Sequence, residues 1–393
     1  MRIFYAADRT PLPGLSSNLW HANLHGGLAQ LGCEIVEFDY DLATTFQRLH
    51  PVRDADFIRS NRPRLSAALV EQVRRAHAAR PLDALFTYFY SACVTPEAIR
   101  EIGALGIKTF NWYCNASFQL ALVAEIAPAY DYCLVPEADR LGDYRAIGAN
   151  PIYCQEAADP GVYRPHDVAL EYDVAFIGQA YGERPEIIRH LVDAGVDVRV
   201  WGVGWERYRW ASVQRERLVA WWRSSRIPGL RILRGVARRL RANSSSGTHR
   251  PPARVTLPAS RLGGPLSDGE FVRMFSRARI NLGLSACGDT AAEGERLVQI
   301  RLRDFEIPLA GGFYLVEYQP ELERFFAIGR EIACYTDRAD LIRQVRHYLA
   351  HPEEREAIRR AGRARCLREH TWAARFRAAF AMAGIEVPAG TPA

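Results

Sequence analysis

Lysine is nearly missing from this chain of 393 residues: Lys108 is the only one among 51 lysines and arginines. A Gly-x-x-x-x-Gly-Lys-Ser/Thr loop needs its lysine behind a glycine run. Lys108 stands in no such run, which excludes a P-loop NTPase. The Gly-x-Gly-x-x-Gly of a dinucleotide fold is missing as well. The loop after the first strand-like segment offers only Gly14, and the second half opens on Phe176-Ile177-Gly178-Gln179. A redox role for NAD or FAD is therefore disfavoured, and no cofactor is expected. No run approaches the ~20 apolar residues of a membrane-spanning helix. Met1–Thr10 lacks the apolar core of a signal peptide, so the expected location is the cytosol. Closely paired cysteines are missing too. Cys33, Cys93, Cys114, Cys133, Cys154, Cys287, Cys334 and Cys366 are scattered, which excludes a Cys-x-x-Cys zinc or redox pair. They read as small buried thiols in a reducing compartment.

Hydrophobic residues make up 48% and charged residues 24%, the usage of a globular protein. The length suits two domains. Net charge is +6, unevenly spread: between Trp205 and Leu262 stand 14 arginines against Glu206 and Glu216, hence +12, leaving +6 − 12 = −6 for the rest. This basic segment puts Leu230, Leu233, Ala237 and Leu240 at helical spacing, each followed by an arginine, and carries Trp205, Trp210, Trp221 and Trp222. Pro228-Gly229 divides it into two expected helices, and Asn243–Pro252 is a Ser/Pro tract. Its apolar stripe suits packing on its own domain with the arginines in solvent. The same pattern suits an anionic membrane surface, a lipid-linked acceptor or a protein partner. Nucleic acid is disfavoured, because no recognised module surrounds the Arg and Trp residues.

Strand and helix patterns alternate along the chain. Arg2–Ala6 reads as a strand, Leu19–Leu31 as a helix and Glu34–Phe38 as a strand. Strands at Asp83–Tyr88, Lys108–Trp112, Tyr132–Val135 and Pro151–Cys154 follow, with helices at Pro96–Ala104, Ser117–Glu125 and Ala138–Ile147. After the polar stretch Asp159–Asp173 the rhythm restarts. Strands are expected at Tyr172–Gly178, Val196–Trp201, Arg279–Leu284, Phe313–Val316 and Glu331–Tyr335. Helices are expected at Pro185–Ala194, at Glu270–Arg277 with Ser267 as cap and Glu270 at the capping-box position, at Arg296–Glu306, and from Asp337 onward. This predicts two tandem Rossmann-like, doubly wound α/β domains, 1–160 and 170–371, the second interrupted by the basic insertion 205–262. The cleft between them is the expected site.

Asp39-Tyr40-Asp41 and Asp54-Ala55-Asp56 match Asp-x-Asp but read as solvated loop carboxylates, and no metal site is expected. His21 and His25 share a helix face without a visible third ligand. A histidine near the cleft suits a general base. The stretch Arg296–Glu323 places Arg303 and Glu306 on a helix that ends at Gly311-Gly312 before an apolar strand. An acid beside two glycines suits ribose hydroxyls, and an Arg303–Glu306 helix salt bridge suits the spacing equally.

Several motifs recur here in order. They are Leu266-Ser267-Asp268, Ser276-Arg277-Ala278-Arg279-Ile280-Asn281-Leu282, Arg303-Asp304-Phe305-Glu306 with Gly311-Gly312, Gly329-Arg330-Glu331-Ile332, and His370-Thr371-Trp372 with Arg375. In these, Pro265–Phe376 resembles the CgeB-like glycosyltransferases of the GT-B class. The resemblance implies a GT-B fold, a nucleotide-sugar donor held mainly by the second domain, and a C-terminal helix, 372–393, crossing back to the first. Glu306 would then accept hydrogen bonds from the donor ribose, and Arg184 would meet the diphosphate. Arg303 would do the same or brace Glu306. Gly178, Trp201, Gly202 and Gly204 would lie where the base stacks or approaches the backbone. Related retaining enzymes carry Glu-x7-Glu. Here Val298 stands eight residues before Glu306, with Gln299 beside it, so the first acid is missing from its place. Thr371 suits an N-cap and Trp372 a packing anchor.

The expected activity is thus metal-independent transfer of a hexose or related sugar to an acceptor that the sequence does not identify. Arginines and helix N-termini would stabilise the leaving diphosphate, and His21, His25, Asp8 or Asp39 would act as base. A nucleotide-sugar epimerase and a non-catalytic scaffold of the same fold are the alternatives.

Overall fold

A computed structural model describes residues 1–11, 16–209, 255–288, 290 and 294–387. Six short segments pair in parallel in the first half: β1 (Arg2–Ala6), β2 (Glu34–Glu37), β3 (Ala84–Thr87), β4 (Lys108–Trp112), β5 (Tyr132–Val135) and β6 (Pro151–Tyr153). Their order is β2-β1-β3-β4-β5-β6. The second half forms a parallel sheet from β7 (Tyr172–Ile177), β8 (Val198–Trp201), β9 (Ala278–Gly283), β10 (Tyr314–Glu317) and β11 (Ala333–Tyr335), in the order β11-β10-β9-β7-β8. Strands such as Ala84–Thr87 are buried throughout, because helices cover both faces of a parallel sheet. In each sheet the first strand is flanked by the second on one side and the third on the other. The chain therefore reverses direction across the sheet at β1/β3 and at β7/β9, and doubly wound folds bind ligands at such points.

The C-terminal helix, Trp372–Met382, belongs to the first sheet's packing. Thr371 caps it, its Oγ1 accepting from the Ala374 amide at 3.2 Å. Trp372, Phe376 and Phe380 meet Trp112, Phe86 and Phe110 with ring centroids 5.1, 5.3 and 5.2 Å apart. All three aromatics are buried, each contributing roughly 2–3 kcal/mol in apolar area. The helix lies close against the first helix, Leu19–Gln30, where a Cβ on Gly27 would stand 2.5 Å from that of Trp372.

Several local expectations are corrected. Asp56 does not sit in a loop: it lies within a 25-residue helix, Ala55–Ala79, and Asp54 is the turn residue just before that helix. Its Leu65, Leu69 and Val73 repeat every four residues on the buried face, despite Pro63 inside it. The helix expected at Ser117–Glu125 is two short turns, Ala116–Gln119 and Leu120–Leu122. The helix expected from Arg296 begins at Leu302, because the Asp304 carboxylate accepts from the Arg301 amide at 2.8 Å and fixes the start there. Ser267 occupies the N-cap position of Asp268–Arg277 without a side-chain bond. Glu270 pairs with Arg277 at 2.7 Å rather than reaching back to it. The expected basic hairpin lies mostly outside the described residues. Within them, Trp205 and Tyr208 before it and Leu257 after it are buried in the second domain.

Candidate functional site

A cleft of about 560 Å³ opens between the carboxyl ends of the two sheets, at both reversal points. This is within the ~300–1,000 Å³ of small-molecule sites. Ala7 and Asp8 after β1 and Tyr88 and Tyr90 after β3 face Gly178 and Gln179 after β7 and Leu284 after β9.

The second-domain wall is cationic. Arg184, Arg301 and Arg303 all line it. Arg184 is 8% exposed, and its guanidinium donates to the carbonyls of Gln179 at 3.1 Å and Leu284 at 3.2 Å. The guanidinium carbon lies 3.7 Å from the Tyr181 ring centroid. No carboxylate among the described residues pairs with it, and burial pushes its pKa down to about 10, so it stays charged at neutral pH. Arg301 donates to the Ala286 carbonyl at 2.8 Å. The Nε atoms of Arg184, Arg301 and Arg303 are buried without a hydrogen-bond partner among the described residues. Gly178 keeps this wall low: a Cβ there would stand 2.8 Å from the Phe176 ring and 3.4 Å from Arg184.

Other expected donor residues lie behind the wall. Glu306 is fully buried: Tyr163 Oη donates to its Oε1 at 2.5 Å, and Arg303 donates to its Oε2. Its carboxylate thus braces Arg303, and it does not line the cleft. Trp201 is buried, its ring 4.9 Å from that of Tyr172, and Gly202 and Gly204 likewise sit behind the wall. Gly202 has φ +134°, and a Cβ on it would collide with the Gly178 carbonyl, so it supports the cleft-lining glycine from behind. Gly311, with φ +74°, turns the chain after Leu302–Leu309 and gives its carbonyl to Arg359 at 2.7 Å. Gly312 packs on Asn281 and Ile307; neither glycine lines the cleft.

On the first-domain wall the base candidates separate. His21 and Asp8 line the cleft, while His25 and Asp39 do not. His25 turns to Glu37 at 3.3 Å, and Asp39 is exposed. Asp8 accepts from the Thr10 amide at 2.9 Å and hydroxyl at 2.5 Å. The Nδ1 of His21 has no hydrogen-bond partner among the described residues. Burial, then His25, lower the His21 pKa below the usual histidine value, which keeps the imidazole neutral. Sequence reasoning missed Glu156, a cleft-lining acid after β6 that is 4% exposed. Burial raises its carboxyl well above the usual range. No motif marks it, and its position follows from the sheet alone. His347, His351 and Glu354 form a group at the surface, His347 half-buried, with ligand atoms within 4.8 Å of one another, outside the cleft lining.

Residues 249–381 match a family model described as glycosyl transferase-like. Comparison with curated protein sequences gives no match. Among solved structures, the chain is similar to sucrose-phosphate synthase from Thermosynechococcus elongatus (12% identity, TM-score 0.55, covering 97% of this chain and 100% of that one). It is similar to Anabaena HepE, solved in complex with UDP (10% identity, TM-score 0.55, 98% and 100% covered). It is also similar to AviGT4, a glycosyltransferase involved in avilamycin A biosynthesis (13% identity, TM-score 0.50, 98% of each chain covered). At these identities the likeness establishes the fold: two Rossmann-like domains in the GT-B arrangement.

Proposed function

We propose that this GT-B chain, with its glycosyl transferase-like segment, transfers a sugar from a nucleotide-sugar to an acceptor hydroxyl in the inter-domain cleft. The observation that carries this is the wall of three arginines beside Gly178, two of them without a carboxylate partner among the described residues. A diphosphate supplies the missing anion, and Gly178 lets it approach the backbone. HepE, of the same fold, holds UDP and, in other crystals, UDP-glucose, which supports a donor of that class.

In the reaction the bond between the sugar's anomeric carbon and the diphosphate oxygen breaks. The nucleoside diphosphate leaves with the electron pair, and the acceptor oxygen bonds to the anomeric carbon. Arg184 and Arg301, with the N-terminus of Leu302–Leu309, stabilise charge on the leaving oxygens. His21, which lines the cleft with a neutral imidazole, takes the acceptor proton in an inverting transfer. The chemistry is read as metal-independent, so chelator should leave turnover unchanged.

The test is a thermal-shift screen against UDP, GDP, dTDP, CMP and ADP with their sugars, repeated with Arg184→Met. A ligand at ~100 times its dissociation constant adds about 2.7 kcal/mol of stability. A shift with one nucleotide, lost in a folded Arg184→Met variant, supports the reading. No shift with any nucleotide points to a scaffold. Conversion of donor without acceptor points to an epimerase.

A further inference from the structure

The cleft's buried acid is unused by the donor wall and by the base. Glu156 follows β6 at the first-domain side, its backbone fixed by two neighbours. Its amide donates to Gln155 Oε1 at 2.8 Å, and its carbonyl accepts from Arg375 of the C-terminal helix at 3.5 Å. Its Oε2 is buried and has no hydrogen-bond partner among the described residues. A polar atom left so costs stability unless a ligand or water completes it. Glu156 borders two spaces. One is the main cleft, and the other is an adjoining cavity of about 40 Å³ that it shares with Val298 and Gln299 of the second domain. That volume holds a water or a single hydroxyl, not a ring. Gln299 also lines both spaces, and Arg301 stands two residues on, in the arginine wall. A group reaching Glu156 from a diphosphate on that wall is therefore the part of the donor beyond the phosphates.

We propose that the Glu156 carboxyl hydrogen-bonds a hydroxyl of the donor's sugar and helps to set which sugar the cleft accepts. This rests on the nucleotide-sugar reading above. The charged and titratable groups around it are Arg301, Glu137, Glu306, Asp304 and Cys114. Burial outweighs Arg301 and holds the carboxyl in its protonated form, so it donates its proton to the sugar oxygen.

The experiment measures, for each nucleotide-sugar of the panel and its bare nucleotide, the affinity of wild type, Glu156→Gln and Glu156→Leu. The sugar increment is the ratio of the two affinities. Glu156→Leu is expected to lower that increment by about tenfold, leaving the bare nucleotide's affinity unchanged. Glu156→Gln keeps a donor and restores the increment. In wild type the increment falls as rising pH ionises Glu156, and in Glu156→Gln it does not. An equal increment in wild type and Glu156→Leu overturns this inference and leaves the donor reading standing. Loss of bare-nucleotide affinity in a folded Glu156→Leu also overturns it, since the residue then acts on the wall and not on the sugar. No nucleotide binding to wild type overturns the donor reading itself, and this inference with it.

Discussion

Glu306→Leu separates two roles for the acid in the Arg-Asp-Phe-Glu run. In the structure its carboxylate touches Tyr163 and Arg303, and it acts on a ligand only through Arg303. Removing it leaves the Tyr163 hydroxyl buried and unpaired, at roughly 1–3 kcal/mol. It also strips Arg303 of its carboxylate. Breaking a fully buried pair costs ~3–5 kcal/mol, but the Arg303 side chain is 28% exposed and regains water, so the lower end applies. A total of about 4–6 kcal/mol lowers the melting temperature by ~8–24 °C for a domain of this size. Tyr163→Phe keeps the Arg303 pair and should cost about 1.5 kcal/mol. The binding assay is a double-mutant cycle with Glu306→Gln and Arg303→Met on the affinity for the nucleotide found by the screen. If Glu306 positions Arg303, the double variant binds no worse than Arg303→Met, and the coupling is about 1 kcal/mol or more. Additive losses, with the melting temperature of Glu306→Gln near wild type, would mean that Glu306 meets the ligand itself and that the bracing account is wrong.

His21 must be neutral to accept a proton, and its pKa is lowered, by burial first and His25 second. kcat/KM should therefore stay level from neutral pH to below the ordinary histidine range and fall only under it. His21→Gln should lose roughly 10²–10⁴-fold, and a variant that keeps its rate removes His21 as base. His370 is buried among Phe305, Phe325 and Phe326, its Nε2 2.8 Å from the Phe325 carbonyl, with its pKa pushed down to about 4. Between about 6.5 and 4 the unfolded chain binds a proton there and the folded chain does not, so stability declines as pH falls through that window, by about 3 kcal/mol in all. Denaturant titrations of His370→Gln should lack that part of the slope; an unchanged slope would assign the acid sensitivity elsewhere. Gly202→Ala forces a non-glycine residue to φ +134° against the Gly178 carbonyl. It should cost at least ~2 kcal/mol and weaken nucleotide binding; a wild-type melting temperature and affinity would contradict the support assigned to this glycine.

The alternation of apolar strands with helices made the two-domain fold legible, because a parallel sheet covered on both faces writes continuous apolar runs such as Ala84–Thr87. Ala55–Ala79 escaped notice because its buried stripe, Leu65, Leu69 and Val73, is diluted by arginines and Pro63. The helix start at Leu302 escaped because Asp304 bonds back to the Arg301 amide, a contact that a helical period does not encode. For the site, Arg184 and Gly178 entered through the family resemblance, and the structure places both on the cleft lining. His21 was one of four equal candidates, and Glu156 carried no signal.

The sequence by itself determined the periodicities, and hence the strands and the cap at Thr371, since each of these is a local property of neighbouring residues. Only the tertiary structure decided which polar groups face the cleft and which are satisfied behind it. Arg303 and Glu306 are three residues apart, yet one lines the cleft and the other is sealed beneath it by Tyr163, 143 positions away in the chain. His21 and His25 share one helix, yet Glu37 on β2 draws one aside. Burial and partnership depend on what arrives from distant segments, and no spacing along the chain records that.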